Sequence, residues 1–443
     1  MSLDSVFWVP PCKASVIAKP DVCVVGGGAA GLAVAVGAAR AGLEVLLVEK
    51  YGFCGGATVA GLSGTICGLY SSGDHPRQII FGFAGEFYDL MARRGGVRAP
   101  VQFGRTMLVP HESLVWKEVA DCLLRESDVR VLYHTHFLHA FQEDGGVHTL
   151  VIQAKEGQVA IQPKAVVDAS GDAEVVHSLG GETTLGKNGV VQTPTMVFRM
   201  GDVDMAIFLK LDPREIDRMV VQAHESGSYD LPRHHVYMFP MPNGHEVLCN
   251  MTRITRPDGS IPVGTSSDDM TFAEMEGRVQ ARRYATFLCD RVPGFGHAYM
   301  AETGMQVGIR QTRSIKGKMR LSNDDVLHAR KVQGGASFSA WPIEDHGADG
   351  LKISYLKDDT YDIPFETLIP VSGSNLLVAG RCMSAEHEAL ASARVTAQCF
   401  GMGYAAGAAC GLLVNERARA QELTGVQVSE WMRKQGLKTA GER

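Results

Sequence analysis

The chain has 443 residues, 45% of them hydrophobic and 21% charged, which excludes a disordered or fibrous protein and leaves room for about two to three domain-sized units. Its formal net charge of −6, with no basic block, excludes the electrostatic footprint of a nucleic-acid binder and points to a small-molecule ligand. The ten cysteines include no Cys-x-x-Cys pair, so zinc and iron–sulfur sites lose support.

Met1 to Lys19 has no positive region followed by a long apolar stretch, so no secretory leader is expected and a cytoplasmic location is; Met1-Ser2-Leu3 reads as a cloning remnant. Next comes an apolar run over Val22 to Val25, of the kind that forms a strand buried on both faces of a parallel sheet. Gly26-Gly27-Gly28-Ala29-Ala30-Gly31 follows at once. Gly26, Gly28 and Gly31 fit Gly-x-Gly-x-x-Gly: the first permits a tight turn, the second admits a pyrophosphate, and the third lets helix and strand pack closely. The Ala-rich segment 29–41 predicts a buried helix whose free N–H groups face the phosphates, with Gly42 placed to end it. A second apolar strand, Val45 to Val48, carries Glu49 at its end, about 20 residues past the glycines, where an acid reaches a ribose hydroxyl. Strand, helix, strand and terminal acid in register predict a dinucleotide site.

After Glu49 a second glycine pair, Gly55-Gly56, predicts another close backbone approach to the cofactor. Cys54 lacks the neighbouring cysteine of a redox turn, since the next is Cys67, so dithiol chemistry is not expected. His134 and His136 alternate along a predicted strand with His139 beyond, but no carboxylate or cysteine completes a ligand set, and no metal is expected. The stretches 70–110 and 186–345 resemble neither a Rossmann repeat nor a linker. The second mixes β-rich runs, Met196 to Met200 and Glu246 to Met251, with a helical span from Asp268 to Asp290, which predicts a sheet capped by helices. Ala391 to Leu413 reads as one helix of small residues, with Arg394 to Phe400 as helix ahead of Gly401-x-Gly403. That context rejects the second glycine pattern as a nicotinamide site. Neither 29–43 nor 401–413 is long enough to span a bilayer, so no membrane partner is expected.

The blocks Val22 to Gly61, Val166-Val167-Asp168-Ala169-Ser170-Gly171-Asp172, Gly308-Ile309-Arg310-Gln311-Thr312-Arg313 and Asn375 to Ser384 occur in that order. On these residues the chain resembles the flavoprotein superfamily that includes fumarate reductases and glutathione reductases, and within it the broad FAD-dependent oxidoreductase family. The resemblance implies an α/β fold: a Rossmann-like FAD-binding domain made of 15–70, 111–185 and 346–430, with an inserted α+β substrate domain made of 71–110 and 186–345. It implies FAD as cofactor, with Gly26, Gly28 and Gly31 flanking the pyrophosphate beside Ala29 and Ala30, and Glu49 and Lys50 at the adenosine ribose. Gly55, Gly56 and Thr58 would line the phosphate and flavin side, Phe137 would present its backbone to adenine, and Ala169, Ser170 and Gly171 would form the return turn. Gly380, Arg381 and Ser384 would follow the ribityl chain. Arg394 completes the implied cofactor contacts, and the start of the small-residue helix would face the flavin.

The same resemblance places Arg310, Arg313 and His346 near the flavin's reactive face. Arg suits a carboxylate and His moves protons near neutral pH, though both arginines are equally open to a structural reading as interdomain ties. His387, in a loop expected between the flavin strand and the last helix, is read as the general base, with a hydrogen-bonded loop histidine as the alternative. The implied activity is hydride exchange between FAD and a small polar organic substrate at a C–OH, C–N or C–C bond, with electrons passed to a separate acceptor. A flavin monooxygenase and a non-catalytic flavin-binding sensor or scaffold are the rival readings.

Overall fold

A computed structural model describes residues 13–347, 350–356 and 359–442; Met1-Ser2-Leu3 and Cys12 lie outside the described residues. The two apolar runs form strands Val22–Val25 and Val45–Val48, buried at every position. They belong to a five-stranded parallel sheet in the order Leu376–Val378, Ala165–Asp168, Val22–Val25, Val45–Val48, Arg130–Leu132. Its register pairs Asp168 with Val25 and with Val378, and Val25 with Val48. The carboxyl ends of the four strands that begin the cofactor motifs therefore lie level, and Gly26, Glu49, Ala169 and Ala379 leave the sheet along one edge, where such folds bind ligands.

Helix Ala29–Arg40 packs against a helix of 20 residues, Thr396–Asn415. Gly403 and Gly407 make the approach possible, because an added Cβ would meet the Ala30 and Val34 carbonyl oxygens at 2.2 Å each. Gly401-x-Gly403 is thus a helix-packing surface. By length and composition this helix could cross a membrane, and 94% of its apolar stretch is buried inside the fold.

The single helix expected over Ala391 to Leu413 is two: His387–Ala393 and Thr396–Asn415, broken at Arg394 and Val395. Val395 takes an extended backbone, so the second helix begins afresh with uncapped N–H groups. His134 also departs from expectation. It sits at φ +53° between strands Arg130–Leu132 and His136–Glu143 and shares no strand with His136. Among the described residues, no group of three or more His, Cys, Asp or Glu side chains could hold a metal.

Beyond the parallel sheet, Tyr237–Pro240, Val247–Asn250, Phe198–Gly201 and Tyr299–Thr303 form an antiparallel sheet in that order. Helices Pro213–Glu225 and Ser267–Arg291 bury Val220, Tyr284, Phe287 and Leu288 in one core with Phe198 and Cys249. The stretch 71–110 divides. Its helix Gly82–Arg93 places Phe83, Phe87 and Met91 in the parallel sheet's core, with Phe83 stacked on Tyr404 at 5.4 Å. Its strands Val101–Phe103 and Thr106–Pro110 join Thr65–Cys67 in a three-stranded sheet facing the antiparallel layer.

Candidate active site

One cavity of about 370 Å³ runs along the carboxyl edge of the parallel sheet and continues under the antiparallel sheet. Its first half is built mainly from backbone. Gly26 sits at φ +98°, and a Cβ there would meet the Ala169 carbonyl oxygen at 2.6 Å. At Gly28 a Cβ would find nothing nearer than Gly56 Cα at 3.9 Å, so the missing side chain leaves open space on the cavity wall. Helix Ala29–Arg40 starts there with neither a capping side chain nor an acid in its first turn, which leaves N–H groups and the positive end of the dipole for an anion. Gly55 N–H donates to the Gly27 carbonyl at 2.8 Å, seating the second glycine pair directly on the first.

Glu49 is buried, and its carboxylate accepts from Gly27 N–H at 2.6 Å and Tyr51 N–H at 2.8 Å. Asp168 is fully buried and organises the return turn: it accepts from Ser170 Oγ at 2.6 Å and from Val175 N–H at 2.8 Å. Arg381 ties this turn to the substrate half, donating to Asp172 Oδ1 at 2.7 Å, to the Gly171 carbonyl at 2.9 Å and to the Ile309 carbonyl. At the other end Thr396 brings the uncapped start of its helix to the cavity wall.

Of the residues expected at the cofactor, Gly26, Gly28, Ala29, Ala30, Glu49, Lys50, Gly55, Gly56, Thr58, Phe137, Ala169, Ser170, Gly171, Gly380, Arg381 and Arg394 line this cavity. Gly31 and Ser384 do not. Gly31 is a packing glycine, since its Cβ would meet the Gly26 carbonyl oxygen at 1.8 Å. Ser384 is 1% exposed, turned into the core behind the turn, with its N–H donating to the Thr367 carbonyl at 2.9 Å.

The second half is built from side chains. Arg310 and His346 line it; Arg313 and His387 do not. Arg313 stands in a strand paired with Thr183–Leu185 and donates to the Asp172 carbonyl at 3.3 Å, a tie between segments. His387 opens its own helix, 8% exposed, and its Nε2 meets Asp345 Oδ1 at 3.0 Å away from the cavity. Its position corrects the expectation of a base at the flavin.

The strand Ile343–Gly347 explains the exchange of roles: successive side chains alternate, so Glu344 and His346 face the cavity while Asp345 turns to His387. Burial holds the His346 imidazole well below the usual histidine range, and the Arg310, Arg233 and Arg394 guanidiniums add to the effect. Burial raises the Glu344 carboxyl, opposed by Arg394, Arg310 and Arg233. Arg310 is held by the Thr193 carbonyl at 2.6 Å and Arg394 by Gln192 Oε1 at 2.9 Å. Phe103, Tyr237, Phe239 and Trp341 complete an aromatic wall. The block Trp341 to His346 resembles family blocks near the flavin's reactive face, but the sequence assigned no role to Glu344 or to Phe103, Tyr237 and Phe239; period-two alternation around His346 was the local signal for Glu344.

Cys54 lies outside the cavity lining, buried beside the Tyr133 hydroxyl at 3.7 Å, and burial pushes its thiol up. An inert packing role fits it.

A family model described as FAD dependent oxidoreductase matches residues 21–432. No curated protein matches the sequence. Among solved structures, a geranylgeranyl bacteriochlorophyll reductase-like protein from Thermoplasma acidophilum is similar at 15% identity and TM-score 0.51, covering 95% of this chain and 84% of that one. The anhydrotetracycline hydroxylase OxyS from Streptomyces rimosus aligns at 12% identity and TM-score 0.45, over 94% of this chain and 68% of that one. CabE, an aromatic hydroxylase from angucycline biosynthesis, aligns at 13% identity and TM-score 0.46, over 95% and 69%. The first of these likenesses shows the fold. The glycine cradle, with open space at Gly28 and two uncapped helix starts on one cavity, fits FAD.

Proposed function

This chain belongs to the FAD dependent oxidoreductase family, and from that premise we propose that it oxidises or reduces a small polar organic substrate by hydride exchange and trades electrons with a separate acceptor or donor. The observation that carries this reading is the continuity of the cavity: the dinucleotide cradle opens without a wall into a chamber that holds Arg310, Glu344 and His346. Bound FAD supplies the two-electron carrier. The protein's own residues supply the rest.

In the oxidative direction the substrate loses a hydride from carbon and a proton from its heteroatom. His346 is the base in this reading: its depressed pKa keeps an imidazole nitrogen free at neutral pH to take that proton. Arg310 orients the substrate, and the aromatic wall excludes water from the reacting bond. The placement beside fumarate and glutathione reductases rests on the sequence blocks and remains part of this proposal.

Anaerobic mixing of the FAD-loaded protein with hydroxy acids, amino acids and sugars tests the reading. A donor that bleaches the flavin stoichiometrically supports it. If no donor bleaches the flavin, while chemically reduced enzyme inserts an oxygen atom from O₂ into a substrate, the monooxygenase reading replaces it. A flavin inert to both leaves a binding role.

A further inference from the structure

Among the described residues, three hydrogen-bond donors in and behind the substrate chamber have no acceptor. Tyr237 is 7% exposed, lines the cavity and has a hydroxyl without a partner. Burial, with Glu344 nearby, raises its pKa, so it stays an O–H donor. Arg394 also lines the cavity, and its Nε has no partner. Behind them Arg233, 8% exposed, lies over the Tyr237 ring at 5.1 Å and leaves Nη2 unpartnered, although its Nε and Nη1 are engaged by the His235 carbonyl and Asn250 Oδ1. Arg310 adds a third guanidinium, and Glu344 is the carboxylate set among the three. Three guanidiniums around one acid, one of them buried and the others half-buried, with three donor groups lacking acceptors, are costly unless a ligand brings negative charge and lone pairs.

Aromatic rings line the chamber beside these groups. Phe103 and Tyr237 lie 4.6 Å apart between ring centroids, Tyr237 and Phe239 are stacked at 6.4 Å, and Trp341 is 3% exposed in the same cluster. Such a wall gains most from a planar body laid against it.

We infer that the substrate is a planar, conjugated carboxylic acid, aromatic or α,β-unsaturated, whose carboxylate is received by Arg310, Arg394 and the Tyr237 hydroxyl while its flat body lies against Phe103, Phe239 and Trp341. This deepens the oxidoreductase reading and rests on it for calling the ligand a substrate.

The test titrates FAD-loaded protein with benzoate, benzamide and cyclohexanecarboxylate, following flavin absorbance and heat of binding. Benzoate should bind at least about tenfold more tightly than either of the other two, one lacking the charge and the other the flat ring. Tyr237→Phe and Arg394→Gln should each weaken benzoate by about tenfold and leave benzamide unchanged. Tyr237→Phe keeps the ring and the packing, so it decides the matter even if Arg394→Gln loads FAD poorly. Parity of benzoate and benzamide overturns the carboxylate, and parity of benzoate and cyclohexanecarboxylate overturns the planar body. The two readings separate cleanly: a donor that reduces the flavin without competition from benzoate sinks this inference and spares the redox function, whereas tight benzoate binding with no reducing donor does the reverse.

Discussion

The two halves of the cavity are made of different material. In the cofactor half, recognition comes largely from main chain: Gly26, Gly28, Gly55 and Gly56 bring backbone to the ligand, and two helix starts contribute N–H groups that no side chain caps. In the substrate half it comes from side chains on separate segments: Tyr237 on one strand, Arg310 on a loop, Glu344 and His346 on another strand, and Arg394 between two helices. Backbone recognition tolerates no added atoms, whereas side-chain recognition can be dismantled group by group while the fold persists. The halves should therefore respond differently to substitution.

The sharpest contrast lies inside one glycine motif. Gly31→Ala should cost more than the roughly 1–3 kcal/mol of ordinary overpacking, because its Cβ meets a carbonyl oxygen at 1.8 Å, and we expect little folded protein. Gly28→Val should fold with an unfolding midpoint near that of the FAD-free parent and bind no FAD, because its side chain enters open cavity. Thermal unfolding and flavin content read the two outcomes; a Gly28→Val protein that comes out yellow would break the assignment of that wall to the pyrophosphate.

Next in size are the histidines. His346→Ala should slow flavin reduction by about 10²–10⁴-fold with FAD still bound. His387→Ala, which loses only the Asp345 contact, should stay within a few-fold of the parent. Stopped-flow reduction separates them, and equal losses would restore a catalytic part for His387. Because the His346 pKa is depressed, the base stays deprotonated through the ordinary histidine range. Reduction should thus hold level as pH falls through ~6.5 and decline only further down. A rate that halves near 6.5 would point to a different base.

The arginine pair is a smaller effect of the same kind. Arg310→Gln should raise the substrate KM, while Arg313→Gln should leave KM alone and lower stability by about 1 kcal/mol through loss of its tie to the Asp172 carbonyl. Steady-state kinetics beside denaturant unfolding would detect a reversal.

The smallest effect concerns Glu174, which lines the cofactor half and is pushed up to about 7 from 4.5 by burial, with Asp168 and Asp172 adding repulsion. A carboxyl whose pKa is higher folded than unfolded contributes stability that is fully present below 4.5 and is lost as pH rises through about 7. Glu174→Gln should therefore flatten the fall in unfolding midpoint between those values by a few degrees. An unchanged slope would mean that the carboxyl is solvated.

The sequence by itself determined the strand–helix–strand unit of the cofactor half. Strand Val22–Val25, the glycines, helix Ala29–Arg40 and Glu49 are contiguous, and each obeys a local rule of periodicity or backbone freedom that needs no distant partner. Tertiary structure decided the rest. Arg310 and Arg313 look alike in sequence, yet one enters the chamber and the other braces Asp172. His387 and His346 were both plausible proton carriers, and the alternation of one strand sends His346 to the cavity and Asp345 to His387. The break at Arg394 and Val395, invisible in a run of small helix-compatible residues, turns a continuous helix into an arginine and a fresh helix start on the cavity wall. Such roles depend on which face of an element is buried against which neighbour, and residue spacing along the chain carries no information about neighbours more than a hundred positions away.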